Sequence, residues 1–195
     1  TTFAAGSPIE QVMEPLQPNT RYYYRMRYRV PGSPQFDSGQ EHTFHTQRPP
    51  GSTFVFTVQA DPHLDSNTDA ELYQRTLSNI AADHPDFLID LGDTFMSEKF
   101  ATNYTETADR HLLARSYYDL VGHSVPLFLV LGNHEGELGW ELDGTADNIA
   151  VWATTARKLY YPNPFPDGFY AGSASVEDYV GLRENYYAWD WGNAL

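Results

Sequence analysis

Three short polar segments in the sequence each follow an apolar run, and their residue types are those of metal ligands. They are Asp61-Pro62-His63, Gly92-Asp93 and Gly132-Asn133-His134-Glu135. One Asp or His at the end of a strand is more often a cap or a turn residue than a ligand. Three such segments in succession predict two metal ions at one edge of a sheet, and the usual chemistry of a paired site is hydrolysis of phosphate esters.

The elements that position these segments follow from the apolar pattern. Runs at Phe54–Val58, Phe87–Leu91 and Pro126–Leu131 are typical of strands buried on both faces. Helical spacing predicts helices at Ala70–Ala82 and Thr105–Val121 between them. Strands that alternate with helices favour an α/β fold with a parallel sheet. In such sheets ligands lie outside the carboxyl ends of the strands, where all three segments fall.

The spacing inside the segments agrees with a shared site. Asp61 and His63 alternate by two at a strand end, so their side chains can point the same way. Gly92 and Gly132 allow the backbone to approach the ions closely. Cysteine is absent, so ligands must come from Asp, Glu, His and Asn. That set suits Mn, Fe or Zn.

Composition excludes several classes of protein. The net charge is −14, with 12 basic against 26 acidic residues, so the chain lacks the basic footprint of a nucleic-acid binder. No apolar run reaches the length of a membrane span. The expected partner is a small phosphorylated molecule, whose charge bound cations would attract. No pattern predicts an oligomeric state.

Residues 1–51 differ from the rest. Aromatic and apolar residues alternate with arginines over Tyr22–Val30, which predicts a strand with one buried face. A second strand is expected at Glu41–Thr46, followed by a linker at 47–52. The run from Leu16 to Tyr22 resembles the corner before a late strand of fibronectin type III domains. Residues 1–51 are therefore predicted to be part of a β-sandwich with its linker.

The C-terminal third is less regular. A short helix is expected at Asn148–Leu159, followed by an aromatic loop at Tyr160–Tyr170. Two interpretations of this loop stay open: a lid over a site, or packing against the domain surface. Glu184–Leu195 is predicted to form a strand, a turn and a further strand. Residues close to the blocks, and the other histidines, are interpreted as non-ligands: a loop residue (Asp65), helix caps (Asp69, His84), structural or exposed positions (His42, His45) and a surface position (His111).

Longer strings around the three segments carry a resemblance to a known family. Together with Asp61-x-His63, the strings Asp86–Asp93 and Pro126–Glu135 resemble the first three signature blocks of the calcineurin-like metallophosphoesterase superfamily. The β segment in front resembles the arrangement in purple acid phosphatases. The resemblance implies that 52–195 is the first part of a metallophosphoesterase catalytic domain, with a sheet core and flanking helices.

The resemblance also implies roles for single residues. Asp61 and His63 would hold the first of two divalent or trivalent metal ions, Asp93 would bridge both, and Asn133 would bind the second. His134 would lie beside the scissile phosphate, where it stabilises charge or protonates the leaving oxygen. The attacking group would be a metal-bound hydroxide. Glu135 is a candidate to orient His134.

Two departures from the family pattern matter. Purple acid phosphatases place an iron-binding Tyr three residues after the bridging Asp, where this chain has Met96, and they carry Gly where it has His63. Purple iron chemistry is therefore not expected. The superfamily also uses a late Gly-His-x-His block that the sequence lacks. We therefore expect a chain truncated at both ends, with further ligands beyond Leu195 and little activity by itself.

The resulting expectation is an enzyme that hydrolyses phosphomonoesters. Two alternatives stay open: a phosphodiesterase or nucleotidase of the same superfamily, and a non-catalytic binding module with an incomplete metal site. The resemblance to secreted phosphatases favours a secreted or periplasmic location.

Overall fold

The computed structural model describes Phe3 and residues 6–194, and the elements below are those of the described residues. The strands are β1 (Arg21–Tyr24), β2 (Arg27–Tyr28), β3 (Asp37–Ser38), β4 (His42–His45), β5 (Phe56–Gln59), β6 (Phe87–Asp90), β7 (Leu127–Leu129), β8 (Ala171–Gly172), β9 (Val176–Glu177), β10 (Gly181–Leu182) and β11 (Tyr187–Ala188). The helices are α1 (Ala70–Ala82), α2 (Ser97–Phe100), α3 (Tyr104–Gly122) and α4 (Ile149–Tyr160), with a 3₁₀ turn at Gly139–Glu141.

A three-stranded parallel sheet positions the polar segments. Its order is β5-β6-β7, so β6 lies between the other two strands. Val58 pairs with Ile89, and Ile89 pairs with Phe128. Helix α1 connects β5 to β6, and α2 and α3 connect β6 to β7. The predicted α/β fold, with a parallel core and flanking helices, is confirmed.

Polar side chains cap the N-termini of α1 and α4. Asp69 accepts a hydrogen bond from the backbone N–H of Leu72 at the start of α1, as predicted for a cap. Asn148 caps α4 in the same way, through the N–H of Val151. These side-chain acceptors satisfy N–H groups that have no partner inside the helix. Helix α1 therefore has the predicted bounds, and α4 is shifted by one residue at each end from the predicted Asn148–Leu159.

One face of the sheet packs against α1 and α3 and forms the main core. Burial of these apolar side chains is the principal source of stability. The residues buried on this side come from the sheet, from both helices and from the loops around them: Leu64, Tyr73, Leu77, Ile80, Leu88, Phe95, Ala114, Tyr118, Val121, Val125 and Tyr161. The core lies directly beneath the loops that carry the polar segments.

The opposite face of the sheet is covered only in part. Trp191 packs on Phe87, with ring centroids 5.0 Å apart, and Trp189 stacks on Phe128 at 4.1 Å. Phe56 and Val58 stay about half exposed at the edge strand. The expectation that every strand of the sheet is buried on both faces is therefore wrong for β5, whose Phe56 and Val58 lie on one partly exposed face.

The N-terminal segment forms two short antiparallel pairs, β1 with β4 and β2 with β3. The alternation predicted a buried face, but Met26, Tyr28 and Val30 are more than half exposed. The segment contacts the rest of the chain through Tyr24, whose hydroxyl donates to the carbonyl of His123 at 2.6 Å. Its assignment as part of a fibronectin-like sandwich, and the domain boundary near residue 51, stay predictions.

The C-terminal third is held by a buried ion pair. Arg157 on α4 donates from Nε to a carboxylate oxygen of Glu137 at 2.6 Å, and both side chains are almost fully buried. Arg157 also donates to the carbonyl of Glu184 at 2.9 Å. In the predicted aromatic loop, Tyr161 and Tyr170 join the two apolar clusters, which favours packing for this part of the loop. Among the described helices, none combines the length and apolar character needed to cross a membrane.

His111 is fully buried on α3, so the expectation of a surface position is wrong. Its Nδ1 lies 2.9 Å from the carbonyl of Thr107, and its ring meets Phe95 edge-on with centroids 4.7 Å apart. Burial lowers the pKa of His111 to about 4 because the charged ring loses its hydration. The helical pattern of α3 does not show whether His111 lies on the buried or the exposed face of the helix.

We expect His111 to make the protein acid-sensitive. Its pKa is lower in the folded than in the unfolded chain, so its contribution to stability is complete above about pH 6.5. That contribution falls as the pH drops towards 4, by about 3 kcal/mol in all. Thermal unfolding of wild type and His111→Gln between pH 7.5 and 4.5 measures the effect. The variant should lose less stability across this window, and parallel curves would contradict the prediction.

Candidate metal centre

The loops after β5 and β6 are joined by their backbones. The N–H of Asp61 donates to the carbonyl of Gly92, and the N–H of His63 donates to the carbonyl of Asp93, both at 3.0 Å. These bonds continue the pairing of β5 and β6 beyond the sheet. They place the first two polar segments side by side, as the order of the strands predicts.

Two glycines bring the loops after β6 and β7 into close contact. A Cβ atom on Gly92 would lie 2.1 Å from the backbone nitrogen of Gly132, and one on Gly132 would lie 2.1 Å from a carboxylate oxygen of Asp93. No side chain fits at these distances without movement of the backbone. The glycines are therefore needed for the close approach of the two loops to each other, whereas the approach to ions expected from the sequence stays a prediction.

The backbone at three predicted ligands has an unusual conformation. Asp61, His63 and Asp93 have φ angles of 59°, 45° and 52°, in the left-handed region that non-glycine residues seldom adopt. Such conformations cost roughly 1–3 kcal/mol each and concentrate at functional sites. The three outliers favour a function for these loops beyond packing.

Three of the side chains form a group able to bind a metal ion. His63, Asp93 and His134 each offer one ligand atom, and these atoms lie within 4.8 Å of one another. The Nε2 atom of His63 lies 3.6 Å from Asp93 Oδ2 and 3.5 Å from Asp61 Oδ1, too far for hydrogen bonds. That nitrogen is buried and has no hydrogen-bond partner among the described residues. An ion between these atoms would supply the missing partner.

The donor set fits a divalent transition metal. Imidazole nitrogen with carboxylate oxygen suits Mn, Fe or Zn. Asp61 lies beside His63 with its carboxylate largely exposed, and Asn133 is exposed beside His134. Neither predicted ligand belongs to the three-residue group: Asp61 approaches it through the 3.5 Å distance to His63, and Asn133 is only its neighbour in the sequence. Met96, at the position where a purple acid phosphatase has Tyr, is buried in the core.

Two hydrogen bonds hold His134, one through its backbone and one through its ring. Its backbone N–H donates to Asp93 Oδ1 at 2.8 Å, and its Nδ1 bonds to a carboxylate oxygen of Glu98. The second oxygen of Glu98 is buried and lacks a partner within the part of the chain that the structure describes. The bond to Glu98 occupies Nδ1 and leaves Nε2 for an ion or a substrate. No pattern in the sequence indicates a role for Glu98, which lies on the four-residue helix α2.

Glu135 does not orient His134 as predicted. Its carboxylate instead accepts three backbone N–H groups, from Asp93 (3.1 Å), Thr94 (2.8 Å) and Gly132 (2.7 Å). Burial raises the pKa of Glu135 to about 7, and the three hydrogen bonds oppose part of that rise. Glu135 therefore clamps the loop after β6 to the loop after β7.

Asp90 holds the loop after β6 through buried hydrogen bonds, a role that the sequence motifs do not indicate. It is fully buried, and its carboxylate accepts from the N–H of Gly92 (2.9 Å) and from the hydroxyl of Tyr118 (2.8 Å). Burial raises its pKa above the ordinary value. A charged residue at the end of an otherwise apolar strand is the sequence signal that could have marked it.

Comparisons with known proteins agree with this geometry. The family profile described as calcineurin-like phosphoesterase matches residues 54–193, which include the sheet and all three polar segments. The chain belongs to the calcineurin-like phosphoesterase family. The match covers most of the chain and begins just before β5. Comparison with curated proteins gives no match.

A solved structure supports the fold of this phosphoesterase domain. The chain is similar to a purple acid phosphatase isolated from yellow lupin (Lupinus luteus) seeds, with a TM-score of 0.56 and 16% identity. The similarity covers 78% of this chain and 27% of the lupin protein. The chain thus spans about a quarter of the length of that protein, and the likeness concerns the fold alone.

Proposed function

We propose that the protein hydrolyses phosphate esters with the help of metal ions, and that phosphomonoesters are its substrates. The observation that carries the proposal is the group of His63, Asp93 and His134 at the carboxyl ends of the parallel strands. Family membership supports the reaction class. A pair of ions, with Asp61 and Asn133 as further ligands, is part of the proposal.

Each residue of the candidate centre has its own role in the proposal. His63, Asp93, Asp61 and Asn133 would hold the metal ions, which when bound act as Lewis acids on the phosphoryl oxygens; His134, the third member of the observed group, would lie at its edge. His134 would lie beside the phosphate, with Glu98 holding its Nδ1 and fixing the plane of the ring. Its Nε2 could then stabilise charge or give a proton to the leaving oxygen. Glu135 keeps the loops of Asp93 and His134 at a constant separation.

Metal-dependent hydrolysis of p-nitrophenyl phosphate tests the proposal. Protein stripped with a chelator should be inactive, and Mn, Fe or Zn should restore activity. Metal analysis should find two ions per chain, and bis-p-nitrophenyl phosphate should be a poorer substrate than the monoester. Activity that survives complete metal removal would refute the reaction class. Preference for the diester would refute only the phosphomonoesterase assignment.

Replacing Glu98 with glutamine should lower kcat by about 10- to 100-fold, the usual effect of losing a partner that orients an active-site histidine. KM should change little, because Glu98 contacts His134 and not the proposed position of the phosphate. Steady-state kinetics measure the effect. Glu141→Gln is the matched control, since it removes a nearby negative charge whose contact is to the backbone of Leu138. Equal losses in both variants would point to charge alone and contradict a positioning role.

A further inference from the structure

A small cavity lies beside the candidate metal centre and is not part of it. Its volume is about 240 Å³. It is bounded by the loop after β5, by the end of α2 and by α3, and its lining includes Leu64, Thr68, Phe100 and Arg110. The cavity therefore lies between the three elements that surround the first polar segment.

Both walls of the cavity are shared with the candidate site. Leu64 follows His63 directly, and the hydroxyl of Thr68 donates to the carbonyl of His63 at 2.6 Å. On the other wall, Phe100 lies two residues after Glu98, the partner of His134, on the same short helix. Two short stretches of chain, 63–68 and 98–100, therefore connect the candidate site with the cavity.

Arg110 supplies the chemistry of the cavity. Its Nε atom is buried and, within the described ranges, has no hydrogen-bond partner. Its guanidinium lies over the ring of Phe100, 5.7 Å from the centroid, which fixes its position. A buried donor without an acceptor is costly and uncommon in folded proteins. The missing acceptor is therefore the feature that a ligand would provide.

The acidic groups nearby are already engaged. Asp65, which lines the cavity, accepts from the backbone of Asn67 at 2.7 Å and pairs with Lys99 at 3.3 Å. Glu106 accepts from the backbone N–H of Thr102 at 2.7 Å. Neither carboxylate forms a hydrogen bond with Arg110 among the described residues. Hydrogen bonds from Thr102 and the nearby charge of Arg110 lower the pKa of Glu106, but the Nε of Arg110 stays without an acceptor among the described residues and is available to an anionic ligand.

We propose that the cavity is a subsite for a second anionic group, the size of a carboxylate, on a short phosphomonoester, and that Arg110 recognises that group. The inference rests on the proposed function and narrows its substrate class. Pockets for drug-sized ligands have volumes of about 300–1,000 Å³, so this cavity suits a short acidic substituent better than a nucleoside.

Two substrates that differ in one group test the proposal. 3-Phosphoglycerate carries a carboxylate where glycerol 3-phosphate carries a hydroxymethyl group. Wild-type protein should prefer 3-phosphoglycerate in kcat/KM by about tenfold or more, as expected for one charge-assisted hydrogen bond. Arg110→Gln should remove most of that preference by raising KM for 3-phosphoglycerate much more than KM for glycerol 3-phosphate. Arg110→Lys should retain an intermediate preference.

Arg75→Gln is the matched control, because it removes the same charge from an exposed position on α1. It should keep the wild-type preference, and thermal unfolding should show that both glutamine variants fold. An unchanged preference in Arg110→Gln, or no preference in wild type, would overturn the subsite. If wild type hydrolyses neither compound and also fails on p-nitrophenyl phosphate with every metal, the proposed function fails. Calorimetric binding of 3-phosphoglycerate to metal-loaded protein then decides the subsite: weaker binding by Arg110→Gln alone supports it, and equal binding refutes it.

Discussion

Replacing Asp93 with asparagine should abolish metal-dependent hydrolysis. Asp93 contributes one of the three ligand atoms of the candidate centre, and its other oxygen accepts from the backbone N–H of His134. The asparagine oxygen can keep the bond to His134, so the loops should hold their positions. The negative charge that attracts the ion is lost, however. We expect kcat/KM to fall by about 10²- to 10³-fold or more, as when a group that stabilises transition-state charge is removed.

Metal analysis and kinetics together measure this effect. Asp93→Asn should bind less metal than wild type, and excess metal should restore little of the activity. The control is Asp69→Asn, which makes the same chemical change on the neighbouring loop. Asparagine caps a helix as well as aspartate does, so α1 should keep its start. Full metal content and activity in Asp93→Asn would remove Asp93 from the site.

Replacing Glu135 with alanine should have the largest effect on stability. The change leaves the backbone N–H groups of Asp93, Thr94 and Gly132 without their acceptor in a largely buried region. One unsatisfied buried group costs about 1–3 kcal/mol, so three should cost roughly 3–5 kcal/mol if water reaches them in part. Activity should fall as well, because the loops that carry Asp93 and His134 lose their clamp.

Urea denaturation followed by circular dichroism measures the change in the free energy of unfolding. Glu71→Ala is the control, because Glu71 is exposed in the first turn of α1 and should alter stability by less than about 1 kcal/mol. Glu135→Gln should lie between the two, since its amide retains one acceptor oxygen. A loss for Glu135→Ala no larger than that of the control would show that other groups hold the loops together.

The sequence was sufficient to predict the sheet and the order of its ligand loops. Apolar runs and helical spacing are local, and the chirality of crossovers leaves few ways to connect them. Burial was harder to predict, as β5 and His111 show. The exposed face of β5 depends on which elements cover the sheet, and the burial of His111 depends on the packing of α3 against Phe95.

In the candidate site, too, some features could be predicted from the sequence and others depend on tertiary contacts. Asp61, His63, Asp93 and His134 were recognisable because their spacing along the chain places them at strand ends. The contact of His134 with Glu98 could not be recognised in the sequence, because α2 has only four residues and therefore shows no periodic pattern. The role of Glu135 was missed for a different reason. Its partners are backbone N–H groups, which no residue type identifies in a sequence.

The interlock of the ligand loops has a consequence for how such a site can change over time. Backbone atoms make the bonds between the loops after β5 and β6, and two glycines set the approach of the third loop. Apart from the carboxylates of Asp93 and Glu135, these contacts need no particular side chain. The positions of the ligands can therefore persist while most of the surrounding sequence changes.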